Sequence, residues 1–330
     1  MMQIGLIGIG AGAAAALLFA SVTSGSWLAV ALFYTAPLPI MIAGLGWSHW
    51  SALIAALTAA LALSAAFGGI FFPAFLVGAG LPAWWLTYLT MLARPAGAVA
   101  SAGVGSPPAA LEWYPPGRLV VWAAVLAALV MAVGILFVGL DAETFRSGLR
   151  AALAQMLRVE SGLTPDQLPH SPNGSNADRV IDFLVEVIPP AAAVLATLTS
   201  LFNLWLAARV VKFSGRLARP WPDLSAMSFP PTAAAALALA VALSFVGGLV
   251  GILAGVVSAS LFIAYGVLGF AVVHAVTRGL GSRNLIIGCV YAAVMVFGWP
   301  MLVLCLIGLA ETVLHLRARV AAKRGPPAVT

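Results

Sequence analysis

Long apolar runs separated by short polar interruptions set the character of the chain. Runs at 4–22, 27–45, 51–67, 71–92 and 119–140 match the roughly 20 apolar residues that a helix needs to span hydrocarbon. None alternates with the period of a barrel strand. Lipid leaves backbone amides no partner outside helices or closed barrels. The pattern therefore predicts an all-α fold, a polytopic transmembrane helical bundle of about nine or ten segments forming one integral membrane domain over 1–330. A sixth run begins near Asp178 and ends at Arg209, and 231–278 is long enough for two spans with a turn expected at 251–258. The last run, 284–316, is interrupted by Gly298, Trp299 and Pro300. As one tilted helix it would cross the membrane, and as a hairpin it would return to its starting side.

Small and helix-breaking residues divide these runs further. Gly8 with Gly12 and Ala11 with Ala15 give the first run small-xxx-small spacings, which serve either internal packing or the docking of a second membrane protein. Pro37 and Pro39 remove amide donors in the middle of the second run, just after Tyr34 and Thr35, and predict a break there. Pro189-Pro190 does the same in the sixth, and Gly247, Gly251 and Gly255 predict a close-packing ridge. The one sizeable polar segment is 141–182. It opens on a predicted amphipathic helix with Asp141 as N-cap, Phe145, Leu149, Leu153, Met156 and Leu157 on one side, and Arg146 and Arg150 on the other.

Composition agrees with the pattern: 62% of the 330 residues are apolar and 8% charged, far below the quarter of charged residues usual in soluble domains. Charge then adds direction. Arg209, Lys212, Arg216 and Arg219 fall in the 209–230 loop, Arg94 and Arg118 in the 93–118 loop, and Arg319, Lys323 and Arg324 in the 317–330 tail. The positive-inside rule makes these cytoplasmic and the 141–182 segment extracytoplasmic. It predicts a bacterial inner-membrane protein with a cytoplasmic N-terminus, and the basic tail favours the hairpin. The net charge of +6 comes from helix ends without a soluble basic domain, which argues against a nucleic-acid partner and leaves the lipid bilayer as the expected surroundings. Cys289 and Cys305, both inside apolar runs, exclude a disulfide framework and a cysteine zinc site.

Ionisable and amide groups inside a bilayer cost about 2.5–3.5 kcal/mol for a central charge, so each needs a reason. Tyr34, Glu186, Asn203, His274 and Glu311 are the candidates for a ligand pathway. Each also has a packing alternative. Asn203 would act as interhelical glue, Glu186 would reach back to headgroups, and Glu311 would pair with Arg278 or His274 rather than relay protons. Asp178, Asp182 and Glu186 share a helical face and would pair with Arg146, Arg150 and Arg158. No nucleophile triad, metal cluster or opposed carboxylate pair stands out, so no enzymatic activity, metal or cofactor is expected.

Several phrases carry a family resemblance: APLPIMIAGLGW at 36–47, EWYPPGR at 112–118, RPWPD at 219–223 and GVLGFAVVHAVTRG at 266–279. Together they resemble the YybS-like family of bacterial polytopic membrane proteins, which is distantly similar to the substrate-capturing subunits of energy-coupling-factor transporters. That resemblance implies a small-molecule capture subunit whose small-residue first helix, at Ala11 to Ala16, docks a coupling partner. The chain departs from those subunits in having more than about six helices, and no ligand signature carries over residue by residue. It also has no Gly-x-x-x-x-Gly-Lys-Ser/Thr stretch, so an ATP-driven step would belong to another polypeptide. The alternative expectation is a scaffold or assembly subunit that packs against partner proteins.

Overall fold

A computed structural model describes residues 2–95, 111–161 and 176–324. The chain runs through α1 (Met2–Ala20), α2 (Trp27–Tyr34), α3 (Pro37–Gly46), α4 (His49–Phe67) and α5 (Phe71–Phe75). A π-helical turn, Leu76–Gly80, leads into α6 (Leu81–Thr90). Next come a small antiparallel hairpin of β1 (Ala93–Pro95) and β2 (Leu111–Trp113), α7 (Pro116–Val138), α8 (Ala142–Ser161) and α9 (Asn176–Phe213). The last elements are α10 (Pro231–Ser244), α11 (Gly248–Val276), α12 (Arg283–Phe297), α13 (Pro300–Leu314) and α14 (Leu316–Arg324). Among the described residues, seven helical stretches are long and apolar enough to cross a membrane, and α10, α12 and α13 are shorter apolar helices. The protein is thus a helical membrane protein. Most of the predicted loop at 93–118, the turn-rich part of 141–182 and the end of the 317–330 tail lie outside the described residues.

Small residues decide where helices touch. Ala52, Ala55, Ala56, Ala59 and Ala60 fall at helical spacing on one buried face of α4, and α1 lies against it. A Cβ on Gly12 would collide with the Ala55 carbonyl and the Thr58 side chain, and one on Gly8 with Ile54. The Gly8–Gly12 spacing of the first helix is therefore filled by its own chain. Met2, Leu6, Ile9 and Leu17 stay exposed on the remainder of α1. A second close crossing was not anticipated: α13 approaches α11 so tightly that a Cβ on Gly269 would strike the Leu304 carbonyl, and one on Gly308 the Tyr265 carbonyl.

Three expectations need correction. The turn between α10 and α11 lies at Phe245–Gly247 rather than 251–258, because Gly247 and Gly248 take left-handed φ values of 78° and 61° that side chains resist. Gly255 meets nothing that would demand a glycine, so the predicted ridge is not used as one. Finally, α9 runs unbroken through Pro189-Pro190. The break in the second run is present, between Tyr34 and Pro37.

Four polar tethers gather the basic turns at one end of the bundle. Arg216 lies over the Trp47 ring, Arg219 donates to the Thr90 and Tyr114 carbonyls, Arg278 pairs with Asp223, and Arg317 donates to the Ser225 carbonyl. Since α12 leaves from Arg283 beside Arg278 and α13 returns to Arg317, the final run folds back on itself. At the opposite end Asp141 caps α8 by accepting from the Thr144 amide at 2.8 Å, Phe145 is buried, and Arg150 reaches Asp178 and Asp182 on α9. That surface pairing accounts for most of the acidic stripe. Arg158 has no described side chain.

Candidate functional site

The predicted residues do not converge. Asn203 is fully buried in α9 and donates its Nδ2 to the Tyr34 carbonyl at 2.8 Å and to the Thr199 carbonyl at 3.0 Å. The proline break frees that Tyr34 carbonyl, and the asparagine satisfies it across the helix interface. Tyr34 contributes its backbone here rather than its phenol. Ile40, Met41, Leu45, Leu204, Ala207 and Val211 pack the rest of this interface. Glu186 is exposed and borders a small cleft with Arg146, Pro189 and Pro190, at the end opposite the basic turns.

His274 and Glu311 also serve separate contacts. His274 donates Nδ1–H to the Phe270 carbonyl of its own helix at 2.9 Å and sets its ring edge-on to Tyr291. Glu311 is 7% exposed and pairs with Arg317 instead of Arg278 or His274. The left-handed turn at His315 makes this possible, because it bends the chain until the Arg317 amide and guanidinium both reach the one carboxylate, at 3.0 and 2.8 Å. Arg278 faces the other way and holds Asp223 through both carboxylate oxygens.

The space that could admit a ligand lies at the basic end. A cavity of about 800 Å³ opens between α7, α9, α11 and α12, under the loop that joins α9 to α10. Its walls are large and apolar: Phe202 and Trp205 from α9, Val267 and Phe270 from α11, and Tyr291 from α12, which stacks on Phe270 with centroids 4.9 Å apart. Its rim is charged, with Arg219, Arg278 and Arg283 against the single carboxylate of Asp223. Asp223 accepts from the Ser225 hydroxyl and from Arg278, and these bonds hold its carboxyl below the usual carboxylate range.

Arg219 is the residue that sequence reasoning treated only as a topology marker. It is 6% exposed, and burial pushes its guanidinium below the usual arginine value. Its described partners are two neutral carbonyls, which tie the end of α6 to the start of α7. Arg283 lines the cavity, and its Nε is buried with no hydrogen-bond partner among the described residues. The RPWPD stretch held the available signal. Prolines on both sides of Trp221 stiffen a segment that charge alone would leave solvated, and Arg209 and Lys212 lie 5.6 and 4.9 Å from the Trp221 ring centre. Among the described residues, no three His, Cys, Asp or Glu side chains come together as a metal site would need.

No curated protein and no solved structure matches the chain. A family model described as "Predicted membrane protein (DUF2232)" matches residues 13–312, a stretch that includes α9, α11, α12 and every residue of the cavity. The helical bundle and this match agree, and the chain belongs to the DUF2232 family of membrane proteins.

Proposed function

We propose that the protein is a non-enzymatic integral membrane protein that captures or moves a small solute, and that the solute enters the cavity at the basic end. The cavity itself carries the proposal. Its volume of about 800 Å³ falls within the range of small-molecule sites, and it combines aromatic walls with a few polar groups at one rim. The resemblance to transporter capture subunits points the same way. The orientation belongs to the same proposal: ten membrane segments in a bacterial inner membrane, with the N-terminus, the basic turns and the cavity mouth on the cytoplasmic side.

The test is mass spectrometry of the small molecules released when the purified protein is denatured, compared with a Val267→Trp variant whose indole obstructs the cavity between α9 and α11. A compound present in the first preparation and lost from the second is the expected result. Identical profiles overturn the proposal. A membrane scaffold is the second reading, and the α3–α9 junction favours it, since apolar side chains pack closely around the Asn203–Tyr34 bond. A stoichiometric partner protein retained in mild detergent, with no cavity-dependent compound, would decide for the scaffold.

A further inference from the structure

The lining of the cavity goes further than its volume, because its charge and its walls call for different parts of one molecule. Three arginines face one aspartate at the rim. Arg278 neutralises that aspartate, while the described partners of Arg219 are carbonyls, so the rim keeps a positive excess. The Nε of Arg283 is already withdrawn from solvent with its hydrogen bond unmade among the described residues. A buried donor of this kind costs free energy until an acceptor arrives, and an anionic oxygen is the strongest acceptor it can meet. His274 also lines this end: with Nδ1–H bonded to the Phe270 carbonyl, its Nε2 is an acceptor and can take only a hydroxyl or N–H donor of a ligand. Below the rim, Leu201, Phe202, Val267 and Phe270 offer no polar group, and Trp205 only its indole N–H.

We infer that the cavity binds an anionic amphiphile, a phosphate- or carboxylate-type oxyanion at the arginine rim with an apolar chain along the aromatic walls. This rests on the solute-capture reading above and names its chemical class. A bilayer lipid with an anionic headgroup and a free single-chain amphiphile share that chemistry. The oxyanion meets Arg283, and Asp223 holds Arg278 back from full engagement. The rim therefore has a built-in limit on its affinity.

Native mass spectrometry of the full chain in a neutral detergent tests this. The protein is titrated with dodecyl phosphate, dodecylphosphocholine, dioleoyl phosphatidylglycerol and inorganic phosphate. Dodecyl phosphate is expected to form a one-to-one adduct at a concentration roughly tenfold lower than dodecylphosphocholine. Arg283→Gln removes most of that preference. Asp223→Asn keeps the turn's side-chain acceptor but drops its charge, and strengthens the preference. Phosphatidylglycerol binding as well as dodecyl phosphate supports the proposal with a bilayer source. Phosphatidylglycerol failing while dodecyl phosphate binds supports it with a free one. Equal adducts of the phosphate and phosphocholine chains, both lost in Val267→Trp, overturn the anionic class and leave solute capture standing. Inorganic phosphate binding as tightly as dodecyl phosphate overturns the amphiphile. Adducts indifferent to Val267→Trp overturn the capture reading with it.

Discussion

The two sides of α11 obey opposite rules. Toward α13 the helix presents Gly266, against the Met301 and Cys305 side chains, and Gly269, where the partner backbone comes so close that a single methyl has no place. Toward α9 and α12 it presents Val267, Phe270, Ala271 and His274, and the neighbours stand back around about 800 Å³. Residues two positions apart thus lie in the tightest and the loosest packing of the bundle. Within hydrocarbon, association comes from close van der Waals contact and interhelical hydrogen bonds, because lipid is as apolar as the side chains. A gap between helices therefore sacrifices contacts that the fold makes elsewhere.

A graded series of substitutions follows from that contrast, each read from thermal unfolding in detergent. Gly269→Leu has the largest expected effect, about 3 kcal/mol of destabilisation, because its side chain must displace the Leu304 backbone. Wild-type stability in this variant would deny the close crossing. Arg219→Ala is expected to cost roughly 2 kcal/mol, since the Thr90 and Tyr114 carbonyls lose a charged donor. Asn203→Leu strands the Tyr34 carbonyl and is expected to cost about 1 kcal/mol. Val267→Leu, on the loose side, should change stability by less than about 0.5 kcal/mol. A loss equal to that of Gly269→Leu would show that the cavity wall is packed as tightly as the glycine side.

The smallest effect sharpens the rim. The Asp223 carboxyl titrates below its unfolded value, so its stabilising contribution is complete above the ordinary aspartate range near 3.9 and is lost as pH falls through the depressed folded value. Unfolding midpoints measured from pH 6 downward should show that loss in the wild type and lack this component in Asp223→Asn. Identical profiles would mean that the Arg278 pair holds nothing in place.

How far the sequence revealed this differs between the two faces. Hydropathy marked the runs, and Pro37 and Pro39 marked the break in the second, since both signals act within a single helix. Asn203 was legible as glue because an amide at that depth needs a partner, although nothing in the residues named the Tyr34 carbonyl. The glycines misled. Gly247, Gly251 and Gly255 have the spacing of a packing ridge, yet Gly247 makes the turn, while Gly269 and Gly308 carry the close crossing with no such repeat. Spacing shows that a helix can be approached, and only the tertiary arrangement shows which helix does so. Glu311 teaches the same lesson, because its pairing with Arg317 depends on a left-handed His315 that no helical periodicity contains. The cavity was least legible of all, being assembled from four helices and a loop.

The unbroken course of α9 has a mechanical consequence. Its 38 residues make a rod about 57 Å long, against a hydrocarbon layer about 30 Å thick, so it reaches well beyond the hydrocarbon unless strongly tilted. Pro189 and Pro190 lack the amides that would bond the Val185 and Glu186 carbonyls, and the rod is most compliant at those two missing rungs. Arg150 grips it on the far side of that point, at Asp178 and Asp182, while Asn203 anchors it on the near side. A pull on α8 would therefore be taken up as bending at Pro189-Pro190, while Asn203 keeps Phe202 and Trp205 in place at the cavity wall.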